Sequence, residues 1–231
     1  MGKVISLERS NVNEKLKYSR FLNEFPEINL GSLAITFLCI ILMIIATFTM
    51  LPVGIFNEEI LTSALLGTLD INNVFLTLHS YLYSPQVPIA IFAGALLGPR
   101  LGTFSMAFYV FLGLIGVPIF AAGGGFDYIA QPVFGFIIGY IIAAYSVGKV
   151  FSKNINSLLI IFAALLGVVT VHFFGVTYLI INMLLSGFSF EYIKAWVWGL
   201  SLSNLPYDIL FSLILCAIAR PIRGLLWVTM E

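Results

Sequence analysis

From Leu30 to Leu51 the chain carries no charged side chain, and stretches of the same kind recur to its end, broken by short polar turns. A hydrocarbon core about 30 Å thick needs roughly 20 apolar residues per crossing helix, so these runs are of spanning length. Hydrophobic residues make up 60% of the 231 and charged ones only 10%, against roughly 25% charge in a soluble domain. In lipid, every backbone N–H and C=O must find a partner within a helix or a closed barrel. The runs therefore predict an all-α integral membrane protein.

Charge excludes several function classes. The 11 Lys and Arg balance 11 Asp and Glu, which leaves no basic excess for nucleic acid and no acidic tract for calcium buffering. No G-x-x-x-x-G-K-[ST] loop is present for ATP, no H-E-x-x-H for a zinc protease, no G-x-S-G for a rhomboid-type serine protease and no N-P-A pair for an aquaporin. Cys39 and Cys216 each sit inside an apolar run and read as small buried thiols. Neither a disulfide nor a metal site is expected.

Breaker residues divide the chain into six expected spans, at about 31–51, 86–97, 103–120, from beyond Gln131 to Val147, 157–185 and 205–219. Residues 1–29 form a polar leader, 30–220 the membrane domain and 221–231 a tail. Within the domain, an excursion over 53–84 carries Glu58, Glu59 and Asp70 but no Lys or Arg. An even number of spans gathers Lys3, Arg9, Lys15, Lys17, Arg20, Arg100, Lys149, Lys153, Arg220 and Arg223 on one side and leaves Lys194 opposite. The positive-inside rule makes that side cytoplasmic, with both termini there. The two halves share no motif, unlike inverted-repeat carriers.

Asp208 is the most informative ionisable residue, since an acid at the bilayer centre costs about 2.5–3.5 kcal/mol. Two readings fit it. A carboxylate in a helix's first turn, with Asn204 as cap and Pro206 beside it, complements the helix dipole and needs no ligand. Alternatively, Asn204, Asp208 and Phe211 at i, i+4 and i+7 share one face, on which the carboxylate accepts a ligand's paired N–H groups. Gln86, Tyr128 and Gln131 fall on the same outer side, where they line a site or merely decorate the interface. Gly123, Gly124 and Gly125 permit positive φ and close backbone approach, in a lid or in a plain turn. His172 lies mid-span, where a neutral imidazole bonded to a neighbouring helix is the simplest expectation. Ser32-x-x-x-Thr36 and Gly135-x-x-x-Gly139 have the small-residue spacing that brings helices together.

Gln86-Val-Pro-Ile-Ala-Ile-Phe-Ala-Gly-Ala-Leu-Leu-Gly-Pro-Arg100-Leu-Gly, then Gly113-Leu-Ile-Gly-Val-Pro-Ile-Phe-Ala-Ala-Gly-Gly, then Leu205-Pro-Tyr-Asp208, resemble the BioY family of biotin-binding S components of energy-coupling factor (ECF) transporters. The resemblance covers about residues 85–220 and, more loosely, the first span. It implies a six-helix S-component bundle in the bacterial plasma membrane that captures biotin from outside. It also implies partners: a membrane-embedded T component and two ATPases, which consume ATP while this chain holds no cofactor of its own. Asp208 matches the family's ligand-binding acid, and the site it implies lies between the outer glycine loop and the start of the last span. Three departures are visible, one of them the 53–84 excursion, which is longer than in compact members. Tyr207 replaces a Gly and Phe211 a ligand-binding Lys of the family's Pro-Gly-Asp-x-x-Lys. The first span lacks an Ala-x-x-x-Ala coupling pattern, for which Ser32 and Thr36 substitute as the partner contact. An S component for another vitamin, a structural or assembly membrane protein, and a membrane enzyme working without partners are the competing readings.

Overall fold

The computed structural model describes residues 30–53, 81–152 and 157–230. The leader, most of the 53–84 excursion with His79, and Lys153 and Asn154 lie outside the described residues. The helices are α1 (Leu30–Phe48), α2 (Gln86–Leu114), α3 (Phe134–Phe151), α4 (Ser157–Leu185), α5 (Phe190–Val197) and α6 (Leu205–Met230). A short hairpin pairs β1 (Leu51–Val53) with β2 (Tyr81–Tyr83) in antiparallel register, Leu51 opposite Tyr83. Among the described residues, five helical segments are long and apolar enough to cross a membrane.

α2 covers two of the expected spans because its break is a single residue. Gly98 takes φ 77°, ψ −179°, a conformation open only to glycine, and Pro99 then opens the second arm, where its fixed φ suits a helix start and its missing N–H costs nothing. A straight helix would hold residues 94 and 102 roughly 12 Å apart. Instead, a Cβ on Gly102 would lie 2.8 Å from Gly94 Cα. The two arms thus fold back on each other at Gly98. The first arm is sandwiched, since a Cβ on Gly94 would meet Ala144 O of α3 at 2.3 Å, and one on Gly148 of α3 would meet Pro99 N at 2.4 Å. α2 also packs on α1 and α6, and α3 packs on α4.

The second arm ends at Leu114, six residues short of the expected Phe120. Gly116 at φ 106° closes it: Val117 N donates to Leu112 O (3.1 Å) and Gly116 N to Gly113 O (3.2 Å), the paired bonds of a Schellman cap. Pro118 then prevents continuation. The Gly135/Gly139 pair finds its partner in α4, where Cβ atoms would meet Tyr178 and Val171. Ser32 and Thr36 are buried inside the bundle, with Thr36 Oγ1 donating to Ser32 O (2.7 Å). Phe37, Leu38, Ile41, Ile45 and Phe48 form the outward face of α1.

α6 differs from expectation by running past 219 and through Pro221 to Met230, so residues 221–230 continue the last helix. Arg223 docks this extension. It is buried, and its Nη1 donates to Phe151 O (3.0 Å) and Ala95 O (3.3 Å), near the ends of α3 and of the first arm of α2. Unpaired carbonyls at helix C-termini carry partial negative charge, which the guanidinium meets. Arg223→Met keeps most of the side-chain volume and removes both bonds. It is expected to cost about 1–3 kcal/mol, read as a lowered melting temperature of the detergent-purified protein.

Candidate functional site

At the end of the bundle away from Arg223, the first arm of α2, α3, α4 and α6 leave a cavity of about 270 Å³. Its walls include Ser84, Gln86, Tyr128, Tyr140, His172, Asn204 and Asp208 among apolar side chains such as Val87, Phe136 and Ile137. That is close to the lower bound of small-molecule pockets, roughly 300 Å³. It suits a compact ring system.

Asp208, 1% exposed, is the acid on this wall. It sits in the first turn of α6, and two other elements reach its side chain. The Tyr83 hydroxyl from β2 donates to Oδ1 at 2.6 Å, and His172 Nε2 from α4 lies 3.0 Å from Oδ2. Ser201 Oγ lies 2.7 Å from His172 Nδ1. A carboxylate only accepts, so Nε2 carries the proton toward Asp208, and in the neutral imidazole Ser201 donates to Nδ1. Ser201 belongs to a π-helical turn over Trp198–Leu202 between α5 and α6, a local widening frequent at functional sites. Asn204 closes the turn, its Nδ2 donating to Leu200 O at 3.0 Å.

Phe211 lies off the cavity wall. Its ring stacks on Tyr83 with centroids 5.6 Å apart and planes 15° from parallel, while Tyr207 packs on the same ring. Phe211 and Tyr207, the residues that depart from the family's Pro-Gly-Asp-x-x-Lys, therefore seat the tyrosine that donates to Asp208. Tyr83→Phe preserves this stacking and deletes one donor to a buried acid. It is expected to destabilise the unliganded protein by about 1–2 kcal/mol, measured as a drop in thermal midpoint.

A second polar relay crosses the cavity. The Tyr140 hydroxyl donates to Gln86 Oε1 (2.9 Å), Gln86 Nε2 to Ser84 Oγ (3.2 Å) and Ser84 Oγ to Ala46 O (2.7 Å). Beyond it stands the glycine loop. Ala121 and Tyr128 reach the wall, whereas Gly123, Gly124 and Gln131 do not. Gly123 and Gly125 both take φ 110° and permit a tight turn in which Phe120 and Gly123 exchange backbone hydrogen bonds. Burial pushes the Tyr128 phenol above its ordinary pKa, so it stays a hydroxyl near neutral pH. Its ring packs on Phe120 at 4.5 Å between centroids.

Of the residues picked from sequence, the structure thus brings Asp208, Asn204, Gln86 and Tyr128 to one cavity. It leaves Phe211, Gly123, Gly124 and Gln131 behind or beside it. His172 joins the site through the inter-helix bond expected of it, now with Asp208 as partner; as an ionisable group inside a span it was itself a signal of function. Tyr83, Ser84 and Tyr140 had no such signal.

A bundle of long apolar helices around a polar-ended cavity, with a buried acid on its wall, defines a multi-pass membrane protein. Residues 59–227 match the BioY family, and the chain belongs to that family. It is 34% identical over 103 residues to a probable biotin transporter BioY of Lysinibacillus sphaericus, 44% of this chain and 53% of that protein. It is 29% identical over 140 residues to the biotin transporter BioY of Rhizobium etli, 56% of this chain and 71% of that one. The chain thus spans about half the length of the Lysinibacillus relative. The crystal structure of the S-component for biotin from an ECF-type ABC transporter superposes with a TM-score of 0.60 at 22% identity, over 84% of this chain and 90% of that one. The fold is that of an ECF S component, in a multi-pass membrane protein.

Proposed function

We propose that this chain is the substrate-binding membrane component of a vitamin uptake transporter and captures biotin from the outer side for ATP-driven import by partner subunits. The observation that carries this is Asp208, buried on the wall of the cavity and held by Tyr83 and His172. Each carboxylate oxygen has two lone pairs, so one donor on each leaves acceptors for the paired N–H groups of a ureido ring. Apolar side chains such as Val87, Phe136 and Ile137 would bury the ring's carbon face, and the Gln86 relay and Asn204 supply neutral polar groups around it. The names borne by the Lysinibacillus and Rhizobium relatives support biotin as the vitamin. Phe211, lying behind Tyr83, leaves the shape of the wall to other residues.

In this reading the chain crosses the membrane six times, the two arms of α2 counting as separate spans, with both termini cytoplasmic. Arg100, Lys149, Arg220 and Arg223 then sit at the cytoplasmic end and the cavity opens outward. The chain catalyses no reaction; a T component and two ATPases supply the energy. Because Ser32 and Thr36 are buried, the T-component contact on α1 falls to its outward apolar face.

Isothermal titration of the purified full-length chain with biotin tests the assignment, with saturable one-to-one binding expected. A second reading draws on the completeness of the Tyr83–Asp208–His172 bonding, which by itself suits a structural or assembly protein. In that case neither heat of binding nor a biotin-dependent rise in melting temperature would be seen, and neither lipoate nor thiamine would produce one.

A further inference from the structure

The glycine loop runs into a 3-10 helix, Phe126–Ala130, which brings Tyr128 to the cavity wall. Tyr128 is buried and the other four side chains of this helix are exposed. So short a helix has little stability of its own, and a single buried ring is a small anchor. Its position is therefore set by the bonds at its two ends. On the N-terminal side they run to the second arm of α2: Gly125 N donates to Gly113 O at 2.8 Å, and the Tyr128 ring rests on Phe120, whose own ring packs on Tyr109 with centroids 5.5 Å apart.

On the C-terminal side the hold comes from α4. The Tyr178 hydroxyl donates to Ile129 O, and Asn182 Nδ2 donates to Ala130 O at 3.1 Å. A carbonyl only accepts, so the Asn182 amide presents its NH2 group here. The two side chains are four residues apart and share one face of α4. The carbonyls they meet are consecutive and end a helix, where backbone acceptors lack donors from within. Neither Tyr178 nor Asn182 lines the cavity. Tyr178 is itself fixed, its ring edge-on to Phe134 with centroids 6.0 Å apart and its Cβ packed close to Gly135 of α3. Roughly 9 Å away along the same helix, His172 bonds Asp208. α4 thus holds both the acid of the site and the segment that carries Tyr128.

We infer that Tyr178 and Asn182 are positioning residues of the ligand site: they clasp the 3-10 helix so that Tyr128 stays on the cavity wall, and they act on the ligand through Tyr128. This rests on the biotin reading above and adds to that site two residues outside its wall. Removing the clasp frees Tyr128 to leave the wall. The affinity lost in that way is bounded by what Tyr128 contributes, and it cannot add to the effect of removing Tyr128 itself.

The test is calorimetric titration with biotin of the purified full-length parent, of Tyr178→Phe/Asn182→Leu, of Tyr128→Ala and of the triple variant, with amide hydrogen exchange of the unliganded proteins. Tyr178→Phe keeps the ring and Asn182→Leu the branched outline, and each deletes one donor. The double variant is expected to bind more than about threefold more weakly, as two lost hydrogen bonds imply, Tyr128→Ala at least as weakly, and the triple variant as Tyr128→Ala does. In the double variant the amides of 125–131 are expected to exchange faster while those of α2 and α3 keep the parental rate. A double variant within about threefold of the parent or weaker than Tyr128→Ala, losses that multiply in the triple variant, or parental exchange at 125–131 overturns the inference and leaves biotin capture standing. A parent that binds no biotin defeats the biotin reading, and exchange at 125–131 then upholds or overturns the clasp by itself.

Discussion

Asp208→Asn is expected to weaken biotin binding by about a hundredfold or more, from two charge-assisted hydrogen bonds of about 1.5–3 kcal/mol each, while leaving a folded protein. The substitution keeps the shape of the side chain and replaces one acceptor oxygen by an NH2 group. If that group faces the ligand, a donor opposes a donor; if it faces His172, the imidazole can take the other tautomer, accepting at Nε2 and donating from Nδ1 to Ser201 Oγ. The second arrangement preserves the core bonding, which makes Asn the informative variant. Asp208→Ala, by contrast, strands the buried Tyr83 hydroxyl and His172 imidazole and mixes lost stability with lost affinity. Titration calorimetry reads the first effect, and melting of the unliganded protein controls for the second. Unchanged affinity in Asp208→Asn, with a lowered melting temperature, would leave the carboxylate as a knot between helices.

What could be read in the sequence follows from which physics acts locally. Span-length apolar runs and the asymmetric placement of Lys and Arg are properties of the chain in lipid, so the helices over 157–185 and near 31–51 were legible to within a few residues. Gly116-Val-Pro is equally local, but the expected span ran through it to 120, and its capping chemistry ends the second arm of α2 at Leu114. Asp208 stood out because an acid in a membrane helix is expensive wherever it points. Its partners were not legible. Tyr83 comes from a short strand, Ser201 from a π-helical turn and His172 from mid-helix, and only the packing of α4 and α6 with the β-hairpin brings Tyr83 and His172 within 3.0 Å of the carboxylate and Ser201 to 2.7 Å from the imidazole. Phe211 misled for a related reason. Helical spacing put it on the face of Asn204 and Asp208, but an aromatic ring three positions beyond Asp208 packs best on another ring, and Tyr83 provides it.

Small residues were legible as a tendency toward close packing, and the backbone geometry at the fold-back turns that tendency into the second large effect. Gly148→Ala and Gly94→Ala are each expected to lower stability by about 3 kcal/mol or more, the upper end of overpacking costs. At about 2–4 °C per kcal/mol for a chain of this size, the melting temperature should fall by roughly 6–12 °C. The added methyl on Gly148 would lie 2.4 Å from Pro99 N and 2.6 Å from Gly98 C; that on Gly94 would lie 2.3 Å from Ala144 O. These are backbone atoms, so no rotamer change relieves the clash. Pro99 has no φ freedom to yield, and Gly98 is already in a conformation that fixes the angle between the arms. Either substitution must push α3 away from α2, and with it Tyr140 from Gln86, so loss of ligand affinity should accompany loss of stability. Gly199→Ala is the control, since a Cβ there meets nothing within 4 Å and should be neutral or stabilising by up to about 1 kcal/mol. Gly148→Ala melting with the parent protein would mean that α3 does not rest on the Gly98–Pro99 turn, and the cavity wall built on that contact would then have another support.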